Sequence, residues 1–199
     1  MVTKVLNIGI NAKVMKINPK FISFLKSIPW GENVNLNFFP AETGTEYLAC
    51  KNLIRHHFPN AVVHHMQVYD EFMRQLSYQD MSICTFPFGH TNGILDCMHL
   101  GVPTFVLKGA EVCSSSEYQL LSLCEMHDLI YFKEEELRDG IIEFIRHEEI
   151  RTSITQKFQM NTLNYIRAND FELAQNYETK QFANWINAHV REYRSAEIV

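Results

Sequence analysis

Met81-Ser82-Ile83-Cys84-Thr85 runs into Phe86-Pro87-Phe88-Gly89-His90-Thr91, and then into Asn92-Gly93-Ile94-Leu95-Asp96. The first five residues read as a short buried strand. The next six read as the loop leaving its carboxyl end, and Asn92 to Leu100 as a helix. Gly89 permits a tight or left-handed turn. Thr91 or Asn92 suits the cap of the following helix. Strand, short loop and capped helix together are the unit from which parallel α/β sheets are built. The N–H groups at such a helix start, with the positive end of the helix dipole, favour a phosphate. His90 and Thr91 add side-chain donors, and Asp96 follows Asn92 by four residues, so the two share a face. The plainer alternative is an ordinary turn and cap, with Phe86 and Phe88 as core or edge aromatics.

The same alternation extends in both directions. Upstream, Val5 to Ile10 predicts a strand, Asn11 to Asn18 a polar loop, and Pro19 the first turn of a helix ending near Ile28. Val34 to Phe39 reads as a strand. A helix follows to about His57, with Tyr47, Leu48, Leu53 and Ile54 on one face. Ala61 to His65 is strand and Asp70 to Leu76 helix. Downstream, Pro103 to Leu107 and Leu129 to Phe132 read as strands. Ser114 to Met126 and Glu134 to His147 read as helices, the second opened by Glu134-Glu135-Glu136 where negative charge is favoured. Strand and helix alternating with short loops predict an α/β fold, a Rossmann-like parallel sheet with helices on both faces. No Pro or Gly follows Gly140, and Phe158, Leu163, Ile166, Phe171, Tyr177, Phe182, Trp185, Ile186 and Val190 are spaced as in amphipathic helices. The expected organisation is a domain over residues 1–150 with a C-terminal helical extension over 151–199 packed on it.

The bulk properties narrow the chemistry. A chain of 199 residues with 46% apolar residues has enough material for one sizeable core. The formal charge of −5 gives no global attraction to nucleic acid or anionic membrane. The five cysteines include no C-x-x-C pair, which favours a reducing cytosol over a disulfide framework. His56-His57 and His64-His65 are adjacent pairs, a spacing unlike that of metal ligands, so no metal is expected. The start of the chain lacks a signal-peptide pattern. No apolar run approaches the ~20 residues needed to cross a bilayer, so a cytoplasmic protein is expected.

Phe86 to Asp96, followed by Leu100-Gly101-Val102-Pro103, resembles the donor-binding motif of the bacterial cytoplasmic protein N-glycosyltransferases that modify adhesins, and of the related protein O-GlcNAc transferases. Asn7-Ile8-Gly9-Ile10 through Met15-Lys16-Ile17-Asn18-Pro19 is similar to the start of that family's donor domain. Phe38-Phe39-Pro40 through Thr43-Gly44, then Gln67, Tyr69 and Gly109-Ala110-Glu111-Val112, also match, so the likeness spans roughly residues 5 to 150. The resemblance implies one half of a GT-B glycosyltransferase: the half that binds a UDP-hexose, for inverting transfer to a protein side chain. It implies that Lys16 contacts the donor diphosphate, that His90, Thr91 and Asn92 hold diphosphate and sugar, and that Asp96 binds sugar hydroxyls or braces the loop. Lys16 and Asp96 are then the residues expected to serve catalysis, with no cofactor beyond the donor.

Three departures stand out. Met66 takes the place of a histidine expected to serve the donor, and His65 beside it would face away if the strand continued. Lys13 and Val14 replace small hydroxyl residues, and Cys113-Ser114-Ser115 replaces a stretch rich in His and Glu. The family's acceptor-binding half has no counterpart in this sequence and is expected from a partner chain or a longer parent. Two other readings remain: a non-catalytic descendant acting as a binding or interaction module, and an unrelated α/β phosphate-binding protein.

Overall fold

The computed structural model describes residues 4–109 and 115–168, with side chains to residue 166. Six strands form one sheet: β1 Leu6–Ile10, β2 Val34–Phe38, β3 Val62–Val63, β4 Met81–Ile83, β5 Thr104–Leu107 and β6 Ile130–Tyr131. Their spatial order is β3-β2-β1-β4-β5-β6, and every pairing is parallel. Leu6, Ile8 and Ile10 are buried, as are Met81, Ile83, Phe105 and Val106. Near-continuous burial along a strand is what a sheet covered on both faces requires.

The helices are α1 Pro19–Ser27, α2 Gly44–His57, α3 Tyr69–Leu76, α4 Thr91–Leu100, α5 Ser116–Leu123, α6 Glu134–Arg146 and α7 Glu148–Ala168. Helix α6 packs beside α1, whereas α3, α4 and α5 pack in a row. Right-handed crossovers in this strand order place those two groups on opposite faces. The α/β sheet with helices on both faces is therefore as the sequence predicted, and the element boundaries fall within a few residues of expectation.

Three local expectations need correction. Helix α2 turns Cys50 and Ile54 to the core, while Leu48 and Leu53 are exposed. An apolar residue is not bound to the buried stripe when two side chains already fill it. Strand β3 is only two residues long. Helix α5 is shorter than Ser114 to Met126, spanning Ser116–Leu123.

Helix α1 shows how the sequence sets a boundary. Asn18 is its N-cap, accepting from the Phe21 N–H at 3.0 Å, and Pro19 fills the first turn as predicted. The helix buries Phe21, Ile22, Phe24 and Leu25. Phe86 meets Phe21 and Phe24 edge-on, at centroid distances of 5.4 and 5.1 Å. Helix α6 carries Glu134, Glu135 and Glu136 in its first turn and buries Leu137, Ile141 and Phe144. The Arg151 guanidinium donates to the Phe144 and Ile145 carbonyls at 3.1 and 3.2 Å, satisfying the end of α6.

One compact unit ends at Thr162 and a second begins at Leu163. Within the first, α7 contributes the fully buried Phe158. Cys113, Phe171, Tyr177, Phe182, Trp185, Ile186 and Val190 lie outside the described residues. Cys50, Cys84, Cys97 and Cys124 are buried free thiols. Burial pushes Cys84 up to about 12 and Cys97 and Cys124 up to about 11, so these thiols stay protonated and unreactive at neutral pH. Among the described residues, no helix is long and apolar enough to cross a membrane.

The Asn18 side chain also donates to the Phe86 carbonyl at 2.8 Å. Asn18→Ala removes both the helix cap and this tie, and should cost about 1–2 kcal/mol in urea unfolding. An unfolding midpoint unchanged from wild type would refute that role.

Candidate donor-binding site

In open α/β sheets ligands bind beyond the carboxyl ends of the strands, where the strand order reverses. Here that place lies between β1 and β4, the first strand with neighbours reached in opposite directions. The loop after β1 contains a short 3-10 turn, Val14–Lys16. The loop after β4 runs from Cys84 to His90. Hydrogen bonds sew the two loops together. Asn18 donates to the Phe86 carbonyl at 2.8 Å, the Lys16 ammonium donates to the Gly89 carbonyl, and His90 Nδ1 is bonded to the Asn11 carbonyl. A carbonyl only accepts, so Nδ1 carries the His90 proton and Nε2 is left as an acceptor in the neutral ring.

Two glycines permit this closeness. A Cβ on Gly89 would lie 2.2 Å from the Glu117 carboxyl carbon, and one on Gly93 would lie 2.3 Å from His90 Nδ1. Gly89 is thus required by close approach rather than by the left-handed turn that the sequence suggested. The expected Thr91 or Asn92 cap is not formed either. His90 is the N-cap residue of α4 and makes no side-chain cap bond. The Thr91 hydroxyl instead donates to Glu117 Oε1 at 3.1 Å, with Ser116 Oγ 2.9 Å away. Ser116 donates to the other Glu117 oxygen at 3.1 Å. Glu117 is buried and was not foreseen. At the start of a helix it looks like any first-turn acid.

Beside these loops opens a cleft of about 950 Å³, a size suited to a nucleotide-sized ligand. Of the five expected site residues, His90, Asn92 and Asp96 line it, whereas Lys16 and Thr91 do not. Lys16 is half-buried, directed to the loop carbonyl. The opposite wall contains Phe39, His65, Met66, Tyr69 and Phe72. Because β3 stops at Val63, the chain at His65 is no longer a strand, and His65 lines the cleft together with Met66. The preceding His64 ring instead stacks on Phe39 at 4.4 Å and bonds Asn37 Oδ1 at 3.1 Å. The Tyr69 hydroxyl donates to Asp96 Oδ1 at 2.7 Å. Of the segment Gly109 to Val112, only Gly109 is described. Among the described residues, no group of three or more His, Cys, Asp or Glu side chains could hold a metal.

Burial holds the His90 ring below its ordinary pKa of 6.5. Lys16 adds to that effect, while the Asn11 carbonyl, Asp96 and Glu117 oppose it. His64 is lowered chiefly by burial and then by His65. The unfolded chain therefore binds more protons than the folded one as pH falls through 6.5. Stability contributed by the neutral rings is present above that pH and lost below it. The unfolding free energy should decline from about pH 7 to about pH 5, and His90→Gln should flatten part of the decline. A variant profile parallel to wild type over that range would show that His90 does not contribute.

No protein-family model matches the chain. The UDP-glucose:protein N-beta-glucosyltransferase of Actinobacillus pleuropneumoniae serotype 5b is 35% identical to it over 113 residues, covering 55% of this chain and 18% of that protein. The protein of the same name from serotype 7 matches equally. The chain thus spans only a small part of the length of these relatives. Among solved structures, a mutant O-GlcNAc transferase of Thermobaculum terrenum superimposes with a TM-score of 0.75 at 14% identity, covering 92% of this chain and 36% of that one. An Anabaena protein solved with UDP and glucose has a TM-score of 0.61 at 11% identity, covering 87% of this chain and 48% of that one. The resemblance read from the motifs is borne out: the chain is similar in sequence to protein N-glucosyltransferases and carries one Rossmann-like half of the GT-B glycosyltransferase fold.

Proposed function

We propose that this chain is the UDP-hexose-binding domain of an inverting protein glycosyltransferase, transferring glucose or a related hexose to a protein side chain in the cytoplasm. One observation carries the reading. The residues matching the donor motif, His90, Asn92 and Asp96, line a single cleft at the strand-order reversal of a chain 35% identical over 113 residues to a UDP-glucose-dependent protein glucosyltransferase.

The chemistry follows from the charges. The acceptor side chain attacks the anomeric carbon from the face opposite UDP. The new bond forms as the bond from carbon to the diphosphate oxygen breaks, so configuration inverts. Negative charge grows on the leaving diphosphate. On this reading the start of α4 and the Lys16 ammonium, which rests on the Gly89 carbonyl beside the cleft, stabilise it without a metal or other cofactor. Asp96 would repel phosphate, so it suits the sugar hydroxyls. The acceptor proton goes to a base on the acceptor half, which a separate N-terminal half or a longer parent chain supplies. Nucleic acid is not a partner on this reading.

The presence of Met66 on the cleft wall, where the resemblance implies a histidine, favours a second reading: a catalytically inactive partial glycosyltransferase that serves as a binding or interaction module. Saturable UDP binding, weakened at least about tenfold in Lys16→Ala, is expected under both readings. No binding of UDP or UDP-glucose at millimolar concentration would sink the donor-site claim. Hexose transfer to an acceptor peptide when an N-terminal half is added separates the two, since only the enzyme reading predicts product.

A further inference from the structure

Glu117 is the second residue of α5, only 1% exposed, and it does not line the cleft. Its carboxylate is pressed against Gly89: a Cβ there would lie 2.2 Å from the carboxyl carbon and 2.3 Å from either oxygen. The Thr91 hydroxyl donates to Oε1 and the Ser116 hydroxyl to Oε2, each at 3.1 Å. Thr91 opens α4 and Ser116 opens α5, so the carboxylate sits where two helices start. Among the described residues it forms no ion pair. Lys16 donates to the carbonyl of the same Gly89, so a cation and an anion both rest on one residue of the donor loop.

Bracing the loop does not by itself call for a charge here. A neutral amide of the same shape could accept from one hydroxyl and donate to the other, without the cost of burying a carboxylate. The charge has an effect of its own. The positive end of a helix is equivalent to roughly half an elementary charge, whereas a carboxylate carries a whole one. Glu117 therefore more than offsets what the start of α4 offers an anion. Its field also reaches the cleft wall: at His90, where burial chiefly lowers the pKa, Lys16 lowers it further and Glu117 opposes. At Cys84, raised chiefly by burial, Glu117 and Lys16 again act in opposite senses. Resting on the donor-site reading above, we propose that Glu117 is a built-in counter-charge to the donor: from outside the cleft it lowers the affinity for a nucleoside diphosphate and so eases release of the UDP product. It acts through space, on the diphosphate rather than on the sugar, because charge is what it opposes.

The test is calorimetric titration of the full chain with UDP at fixed ionic strength, with the thermal unfolding midpoint as a control on folding. Glu117→Gln keeps the shape and removes the charge. It should bind UDP about three- to tenfold more tightly than wild type. Glu117→Met, also neutral, should shift the affinity in the same direction. Glu117→Asp keeps the charge and should bind UDP no more tightly than wild type. A purely structural brace predicts the reverse, since loss of the carboxylate would loosen Thr91 and weaken UDP binding. UDP affinity in Glu117→Gln equal to or below that of wild type therefore overturns the inference. So do equal gains in Glu117→Gln and Glu117→Asp, or failure of both neutral variants to fold. If neither wild type nor any variant binds UDP at millimolar concentration, the donor-site reading itself falls.

Discussion

The Asn18 side chain serves two loops at once, and the functional end of the molecule depends on that double use. Its oxygen caps α1 by accepting from Phe21, and its amide nitrogen donates to the Phe86 carbonyl. The first bond fixes where the β1 loop ends and α1 begins. The second fixes where the β4 loop lies relative to it. Lys16 to Gly89 and His90 to Asn11 then close the same seam from either side. The parallel sheet alone would place these loops as neighbours, since β1 and β4 pair directly. It would not set their distance. Small side chains do that: Gly93 lets His90 and Asn11 approach, and Gly89 lets the loop lie on Glu117.

The charges around this seam are more balanced than the simple picture of a basic anion cradle. Lys16 is its cation. Glu117 is a buried carboxylate whose oxygens accept from Thr91 and Ser116, and it does not line the cleft, whereas Asp96 does. Burying a carboxylate is costly unless hydrogen bonds and nearby positive potential compensate it. The two hydroxyls and the start of α4 provide that compensation, and in exchange Thr91 is held in place. Under the proposed reading a diphosphate shares this region with one fixed anion. The pairing of Lys16 with a neutral carbonyl, rather than with either acid, then matters. An ammonium neutralised by a salt bridge would have little net field to offer, whereas one resting on a carbonyl keeps its full charge.

The fold was legible because its signals are local and repeated. Ile8 and Ile10, then Leu36 and Phe38, then Met81 and Ile83 announce buried strands, and Asn18-Pro19 marks a helix start without any knowledge of the partner elements. The donor loop was legible as a loop, and His90, Asn92 and Asp96 do meet at one cleft. What could not be read are the contacts made at long range. Glu117 reaches back across 26 residues to Thr91, and Tyr69 across 27 to Asp96. Neither leaves a periodic trace. The orientation of His65 turned on whether the strand continued: two-residue alternation applies only while a strand lasts, and β3 stops two residues earlier. The face of α2 failed because apolar Leu48 and Leu53 carry no mark saying which side the sheet lies on.

The location of the cleft bears on what a lone half can do. Among the described residues, those lining it lie between Asn11 and Asp96, inside the compact unit that ends at Thr162. It is lined by the loops after β1, β2 and β3, by α3, and by the start of α4 with the His90 that precedes it. Under the proposed reading the donor is held by residues of this one unit. Catalysis needs more under that reading, since the described residues of the cleft are assigned to the leaving group and the sugar and none to the acceptor proton. His90 donates its Nδ1 proton to the Asn11 carbonyl, and its low basicity suits a neutral hydrogen-bonding ring. The remaining acid on the wall, Asp96, is bonded to Tyr69. On that reading binding and chemistry are separable, which is why both the enzyme and the inactive binding module remain consistent with one and the same cleft.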